Sequence, residues 1–101
     1  MVDSNREPII KDSNYLNAEI IVLQQEDQYI YIVVQDEEPD LLTYTWTLSL
    51  DGIIPDAESF PDGRSQVRLS NDIDLDGQVL KVVVSDGSYF TDMSWDLEVV
   101  P

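Results

Sequence analysis

Carboxylates clustered in short segments are the residues of this chain whose type and spacing suggest chemistry. The first cluster is "DEEPD", residues 36–40, and a further aspartate, Asp86, follows a later apolar segment. The second cluster is "DIDLDG", residues 72–77. Hard cations such as Ca²⁺ take about six to eight oxygen ligands, and carboxylates from several loops can supply them. We therefore examine both clusters as candidate calcium sites.

The ligands of the first candidate site would be Asp36, Asp40 and Asp86, with Glu7 and Glu38 as weaker candidates. Asp36 and Asp86 each come two residues after an inward-facing valine, so we expect them to leave neighbouring strands in the same direction. Two such carboxylates repel each other unless amides or a cation compensate the charge. In the simpler alternative, which we favour, both accept hydrogen bonds from turn amides and fix two corners of the fold.

The ligands of the second candidate site would be Asp72, Asp74 and Asp76. Their spacing matches the first half of a D-x-D-x-D-G calcium loop, in which Gly77 permits the sharp turn. The twelfth position of that loop requires a bidentate glutamate, but here it is Val83. The apolar residues that alternate with these aspartates also fit a segment that crosses between two sheets and buries its apolar side.

The residues needed for the common forms of enzyme catalysis are missing. The chain has no histidine and no cysteine, which excludes Ser-His chemistry and thiol nucleophiles. Paired carboxylates can hydrolyse glycosides, but one of them needs a cleft that raises its pKa. These carboxylates lie in short turns, so the sequence predicts that the protein is not an enzyme.

The charge of the chain restricts its partners. Its 101 residues fit one domain and include 5 basic and 21 acidic residues, which gives a net charge of -16. Such a surface repels nucleic acid and anionic membranes and attracts cations or basic partners. Three interpretations stay open: a surface adapted to high salt, a calcium-rich module, or a docking face for a basic partner. No signal peptide or membrane-length apolar run is present, so we expect a secreted parent either to have lost its signal or to have contributed only this fragment.

Segments rich in β-branched and aromatic residues recur along the chain, with Asp, Asn, Gly or Pro between them. No segment shows a sustained helical period. The sequence therefore predicts an all-β fold, and the spacing of about ten residues between segments favours a sandwich or a barrel. The expected strands are residues 7–10, 18–23, 28–34, 41–50, 65–70, 78–85 and 93–100.

A period of two assigns the inward-facing side chains of these strands. The expected inward rows are Ile30, Ile32 and Val34; Leu42, Tyr44, Trp46 and Leu48; Leu80, Val82 and Val84; and Trp95, Leu97 and Val99. The rows come from two parts of the chain, as two facing sheets require. Both tryptophans are thus predicted to lie in the core.

Motifs at residues 5–10, 34–46 and 77–87 carry a resemblance to a known group of proteins: the sequence resembles bacterial immunoglobulin-like, PKD and cadherin-like modules of surface proteins. Their pattern V-x-D-x-x-x-D-x-L-x-Y-x-W matches residues 34–46, and G-x-x-L-x-V-x-V-x-D-G matches residues 77–87. The opening N-x-x-P-x-I matches Asn5, Pro8 and Ile10. The resemblance implies an immunoglobulin-like β-sandwich of about seven antiparallel strands in two sheets. It implies one domain over residues 1–101, with 1–7 as a possible linker. It also implies a non-catalytic spacer, stalk or adhesion module of a larger extracellular or cell-surface protein.

The resemblance implies neighbouring domains or subunits as partners, and a protein or carbohydrate ligand is a further option. Calcium is the one cofactor that we consider. The alternative function is a virion or appendage component that binds a partner through its loops or an edge strand. Flanking sequence distinguishes the two, because a repeat of the same pattern on either side would indicate a tandem spacer.

Overall fold

Alternating apolar and polar residues form nine strands in the part of the chain that the computed structural model describes, residues 8–36 and 41–100. The strands are β1 (Ile9–Ser13), β2 (Ile20–Leu23), β3 (Gln28–Gln35), β4 (Thr43–Leu48), β5 (Gly52–Ile53), β6 (Glu58–Ser59), β7 (Arg64–Leu69), β8 (Val79–Ser85) and β9 (Phe90–Val99). The predicted all-β sandwich is confirmed. The prediction of about seven strands is too low, because it missed the two-residue strands β5 and β6.

Two facing sheets contain these strands. One sheet has the order β1-β3-β7-β6, and the other has the order β2-β9-β8-β4-β5. All neighbouring strands are antiparallel except β2 and β9, which are parallel. The prediction that all strands are antiparallel is therefore wrong at this pair. β1 and β2 belong to different sheets, so the chain crosses from one sheet to the other between them.

The predicted inward rows form most of the core, and the prediction did not include five further core residues in the described part of the chain, Ile21, Leu23, Val67, Leu69 and Leu75. Each residue of the predicted rows is buried except Tyr44, which is half-buried. The rings of Trp46 and Trp95 stack within this core, with their centroids 6.3 Å apart and an angle of 12° between their planes. The prediction that both tryptophans are core residues is confirmed.

The strands define two ends of the sandwich. Ile9 pairs with Gln35, and Ser85 pairs with Phe90, so the first strand begins at the end where β3 and β8 finish; we call this end the N-terminal pole. Leu23 pairs with Val99 at the opposite end, where the last strand finishes; we call it the C-terminal pole. No helix in the described ranges is long and apolar enough to cross a membrane.

Candidate functional site

Asp86 closes a tight turn at the N-terminal pole. Its Oδ1 accepts hydrogen bonds from the backbone amides of Ser88, at 2.8 Å, and Tyr89, at 2.7 Å. The Tyr89 amide and then the Ser88 amide lower the pKa of Asp86, because they stabilise the carboxylate form. Gly87 has a φ of 96°, which glycine adopts without steric cost. One oxygen of Asp86 thus fixes the turn, as the simpler alternative expects.

The other oxygen of Asp86 and the hydroxyl of Tyr44 are both shielded from solvent, and neither has a hydrogen-bond partner within the described ranges. Burial raises the pKa of Tyr44, and the negative charges of Asp62 and Asp36 raise it further. Tyr44 is therefore held in its protonated form, as a hydrogen-bond donor close to two carboxylates.

The structure places Asp36 and Asp86 at the same pole but on different sheets, because Asp36 follows β3 and Asp86 follows β8. The expectation that they leave neighbouring strands is therefore wrong. Glu7, Glu38 and Asp40, like the proposed linker at residues 1–7, lie outside the described residues. Within residues 8–36 and 41–100, no group of three or more acidic side chains is arranged to hold a metal ion. The calcium site at this pole stays a prediction.

The "DIDLDG" segment forms a short 3-10 turn, Ile73–Leu75, between β7 in one sheet and β8 in the other. Asp72 Oδ1 accepts a hydrogen bond from the Asp74 amide at 3.0 Å and caps this turn. Asp76 Oδ1 accepts one from the Val99 amide at 2.9 Å, so it holds the end of β9. These two carboxylates therefore have structural contacts, in the sheet crossing that was the alternative to a calcium loop. The expectation that this crossing buries its apolar side holds for Leu75 but is wrong for Ile73, which is exposed.

Among the four buried polar residues of the described ranges that the sequence interpretation missed, three share a feature of position: Gln28, Ser65 and Gln78. Each occupies an inward position of its strand pattern, in phase with the apolar row that follows it. That phase is the signal that could have identified them. A polar side chain in an inward row is buried and must form hydrogen bonds with other groups of the protein.

Gln78 connects two loops at the C-terminal pole. Its Nε2 donates to Asp51 Oδ2 at 3.0 Å and to the Asp74 carbonyl at 2.9 Å. Its Oε1 accepts from the Leu50 amide at 3.0 Å. The β4–β5 hairpin is thereby tied to the 3-10 turn.

Gln28 lies beneath a surface cavity of about 490 Å³, which we call the lateral groove. Its Nε2 donates to the Tyr15 hydroxyl at 2.6 Å and to the Val22 carbonyl at 2.8 Å. The groove is lined by Ile20 and Val22 of β2, by Tyr15, Gln28 and Tyr29, and by polar residues of the β2–β3 loop. The groove therefore has apolar walls, amide groups and one edge strand.

No protein-family model matches this sequence, and no curated protein matches it. Among solved structures, the chain is similar to a chimeric titin Z1Z2 carrying an exogenous decorin peptide (TM-score 0.70, 12% identity, 97% of this chain and 98% of that one). It is also similar to the titin M3 domain (TM-score 0.67, 16% identity, 93% and 97% covered). A third similar structure is a chain in a complex of titin M10 with an obscurin-like 1 immunoglobulin domain (TM-score 0.66, 11% identity, 92% of each chain covered). These similarities show that the fold is immunoglobulin-like.

Proposed function

We propose that this chain is a non-catalytic immunoglobulin-like module that transmits tension as a spacer within a larger protein. The observation that carries the proposal is the parallel pairing of β2 with β9, an early strand with the last one. β1 begins at the N-terminal pole and β9 ends at the opposite pole, so tension applied between the start of β1 and the end of β9 acts from pole to pole.

The β2–β9 pair lies in the path of that tension. Asp96 N donates to the Glu19 carbonyl, and Val100 N donates to the Leu23 carbonyl, both at 2.9 Å, at the two ends of the pair. A pull on the start of β2 against the end of β9 slides the strands past each other. The hydrogen bonds along the pair are then stretched together rather than broken one at a time.

Force spectroscopy with two attachment geometries tests the proposal. The chain has no cysteine, so engineered cysteines give unique attachment points. In the first geometry, handles are attached at Glu19→Cys and Val100→Cys, and the force acts along the strands of the β2–β9 pair. In the second geometry, handles are attached at Glu19→Cys and Asp96→Cys, and the force opens the same pair from one end. We expect a severalfold higher rupture force in the first geometry. Equal forces in both geometries would refute the tension-transmitting role.

The location and wider context belong to the same proposal. The resemblance to bacterial immunoglobulin-like, PKD and cadherin-like surface modules supports an extracellular or cell-surface protein, with calcium at the N-terminal pole as a stabilising ion. The similar chain in the titin M10 complex lies against another protein in that structure, which supports neighbouring domains as partners here. A virion or appendage component is the alternative, and a repeat of the pattern in the flanking sequence would favour the spacer.

A further inference from the structure

Within residues 8–36 and 41–100, strand β2 pairs with another strand on one side only, and its other edge is open. The Glu19 and Leu23 carbonyls accept hydrogen bonds from β9, so the backbone of odd-numbered residues faces that strand. Backbone N–H and C=O groups alternate in direction along a strand. The N–H and C=O groups of Ile20 and Val22 therefore face away from β9, along the outer edge of the five-stranded sheet.

Side chains cap only part of the sandwich edge at this place. Gln28 Nε2 donates a hydrogen bond to the outward Val22 carbonyl at 2.8 Å, so this carbonyl already has a partner. On the other sheet, the Asn14 side chain caps β3, where it donates to the Tyr29 carbonyl at 2.8 Å and accepts from the Tyr31 amide at 3.0 Å. The outward Ile20 N–H and C=O and the Val22 N–H are left for another strand. An unpaired edge of this kind is a template for strand addition.

The lateral groove lies beside this edge. Ile20 is 50% exposed and Tyr29 is 46% exposed, so both present apolar surface at the groove. Side chains of an added strand alternate between the two faces of the sheet. One set would point inward, towards Tyr15 and Gln28 in the lining of the groove, and the other would lie on the outer face of the five-stranded sheet.

The outer face next to β2 is acidic. Ile20 pairs with Asp96, and Val22 pairs with Glu98, so two exposed carboxylates lie on the outer face of the neighbouring strand β9, one strand in from the free edge. Glu19 and Glu26 are also exposed at the two ends of β2. None of these four acids belongs to an ion pair in the described ranges. The charge at this edge is therefore complementary to a basic segment.

We propose that β2 binds an extended basic peptide segment, which adds to the edge of the five-stranded sheet. Its long lysine or arginine side chains extend across the outer face of β2 towards Asp96 and Glu98, and its alternate apolar side chains enter the lateral groove. Backbone hydrogen bonds to Ile20 and Val22 hold the segment, and the alternation of its side chains gives selectivity. This binding site is independent of the tension-transmitting role, so the outcome of the pulling experiment does not bear on it.

Three capped hexapeptides test the proposal by titration into ¹⁵N-labelled protein. The first alternates lysine and valine, the second has the same composition as a lysine block followed by a valine block, and the third alternates glutamate and valine. We expect the first alone to bind, with amide shift changes centred on Ile20–Leu23. Equal binding of the block peptide or the glutamate peptide, or no binding by any peptide, would overturn the proposal.

Two variants at one position test the backbone contact. Val22→Pro removes the outward N–H of Val22 but leaves the Ile21 and Leu23 groups that face β9, and proline is tolerated in edge strands. Val22→Thr keeps the N–H and is the matched control. We expect Val22→Pro to weaken binding of the first peptide about fivefold or more, as for the loss of one hydrogen bond. Equal affinities in two folded variants, checked by circular dichroism, would rule out strand addition.

The charge contribution is tested separately. The double variant Asp96→Asn with Glu98→Gln should weaken binding severalfold and reduce its dependence on salt. The control is Asp92→Asn, because Asp92 already pairs with Lys81 at 3.7 Å on the same face. An equal loss in the control would show that only the overall charge of the protein matters and would overturn the placement on β2.

Discussion

Ser65 is a completely buried hydroxyl that holds Trp46 in the core. Its Oγ accepts a hydrogen bond from Trp46 Nε1 at 2.9 Å and donates to the Glu58 carbonyl at 2.9 Å. Ser65→Ala leaves the indole N–H without an acceptor, which should lower the free energy of unfolding by about 1–3 kcal/mol. Urea denaturation measures the change, with the exposed Ser94→Ala as control. A similar small change in both variants would mean that another acceptor replaces the hydroxyl.

The Asp86 turn predicts a dependence of stability on pH. The folded state lowers the pKa of Asp86 from an ordinary value of 3.8, through the Tyr89 and Ser88 amides. A lowered folded-state pKa contributes stability above the unfolded pKa, and this contribution is lost as the pH falls through the folded pKa. Wild type should therefore be more stable than Asp86→Asn near neutral pH, and the difference should shrink in acid below about pH 3.8.

Denaturation of both proteins over a pH series measures this difference. Asp56→Asn is the control, because it removes one negative charge at an exposed position without removing a turn contact. A constant difference between wild type and Asp86→Asn from neutral pH into acid would show that the turn amides do not stabilise the carboxylate.

The loops of the N-terminal pole carry the calcium prediction. If Asp36, Asp40 and Asp86 bind calcium, Ca²⁺ should raise the melting temperature more than Mg²⁺ at fixed ionic strength, since Mg²⁺ dehydrates reluctantly. We expect the Asp36→Asn variant to lose most of this difference and Asp74→Asn to keep it. Equal effects of the two ions would contradict a calcium site and would mean that the loops at this pole are only capped turns. Loss with Asp74→Asn alone would move the metal to residues 72–77.

Alternation of side chains predicted most of the element-level structure. The inward rows that contain Trp46 and Trp95 follow from a period of two, because one face of each strand must be buried. The Asp86 turn was also predictable, since Asp-Gly sequences favour turns in which the carboxylate accepts backbone amides. These features depend on residues that are close together in the sequence.

Other features depend on contacts between distant segments. The strands Gly52–Ile53 and Glu58–Ser59 are too short to show a pattern, and they exist because β4 and β7 offer edges for pairing. The composition of Ile20–Leu23 does not indicate whether β2 runs parallel or antiparallel to β9. The positions of Asp36 and Asp86 on different sheets likewise follow from strand order, which periodicity does not specify.

At the scale of the whole molecule, the net charge of -16 reflects 21 acidic residues and only 5 basic residues that could pair with them. The described residues contain two ion pairs, Arg68–Asp27 at 3.6 Å and Lys81–Asp92 at 3.7 Å, and all four side chains are largely exposed. Exposed pairs contribute little to stability. Self-repulsion should therefore destabilise the fold at low salt.

We expect the melting temperature to rise as sodium chloride increases to physiological levels, where the screening length is about 8 Å. Differential scanning fluorimetry measures this rise. Tetramethylammonium chloride at the same ionic strength is the control, because it screens charge without acting as a carboxylate ligand. An unchanged melting temperature would mean that the acidic side chains are already compensated in the folded state.

The stacked tryptophans give the protein a built-in optical label. Two nearly parallel indole rings at 6.3 Å couple their electronic transitions, so ultraviolet circular dichroism should show a pair of bands of opposite sign. The rings belong to β4 and β9, on either side of β8, and Trp46 also contacts Ser65 in the facing sheet. The paired bands should disappear when these strands separate, and they report the integrity of both sheets without any added dye.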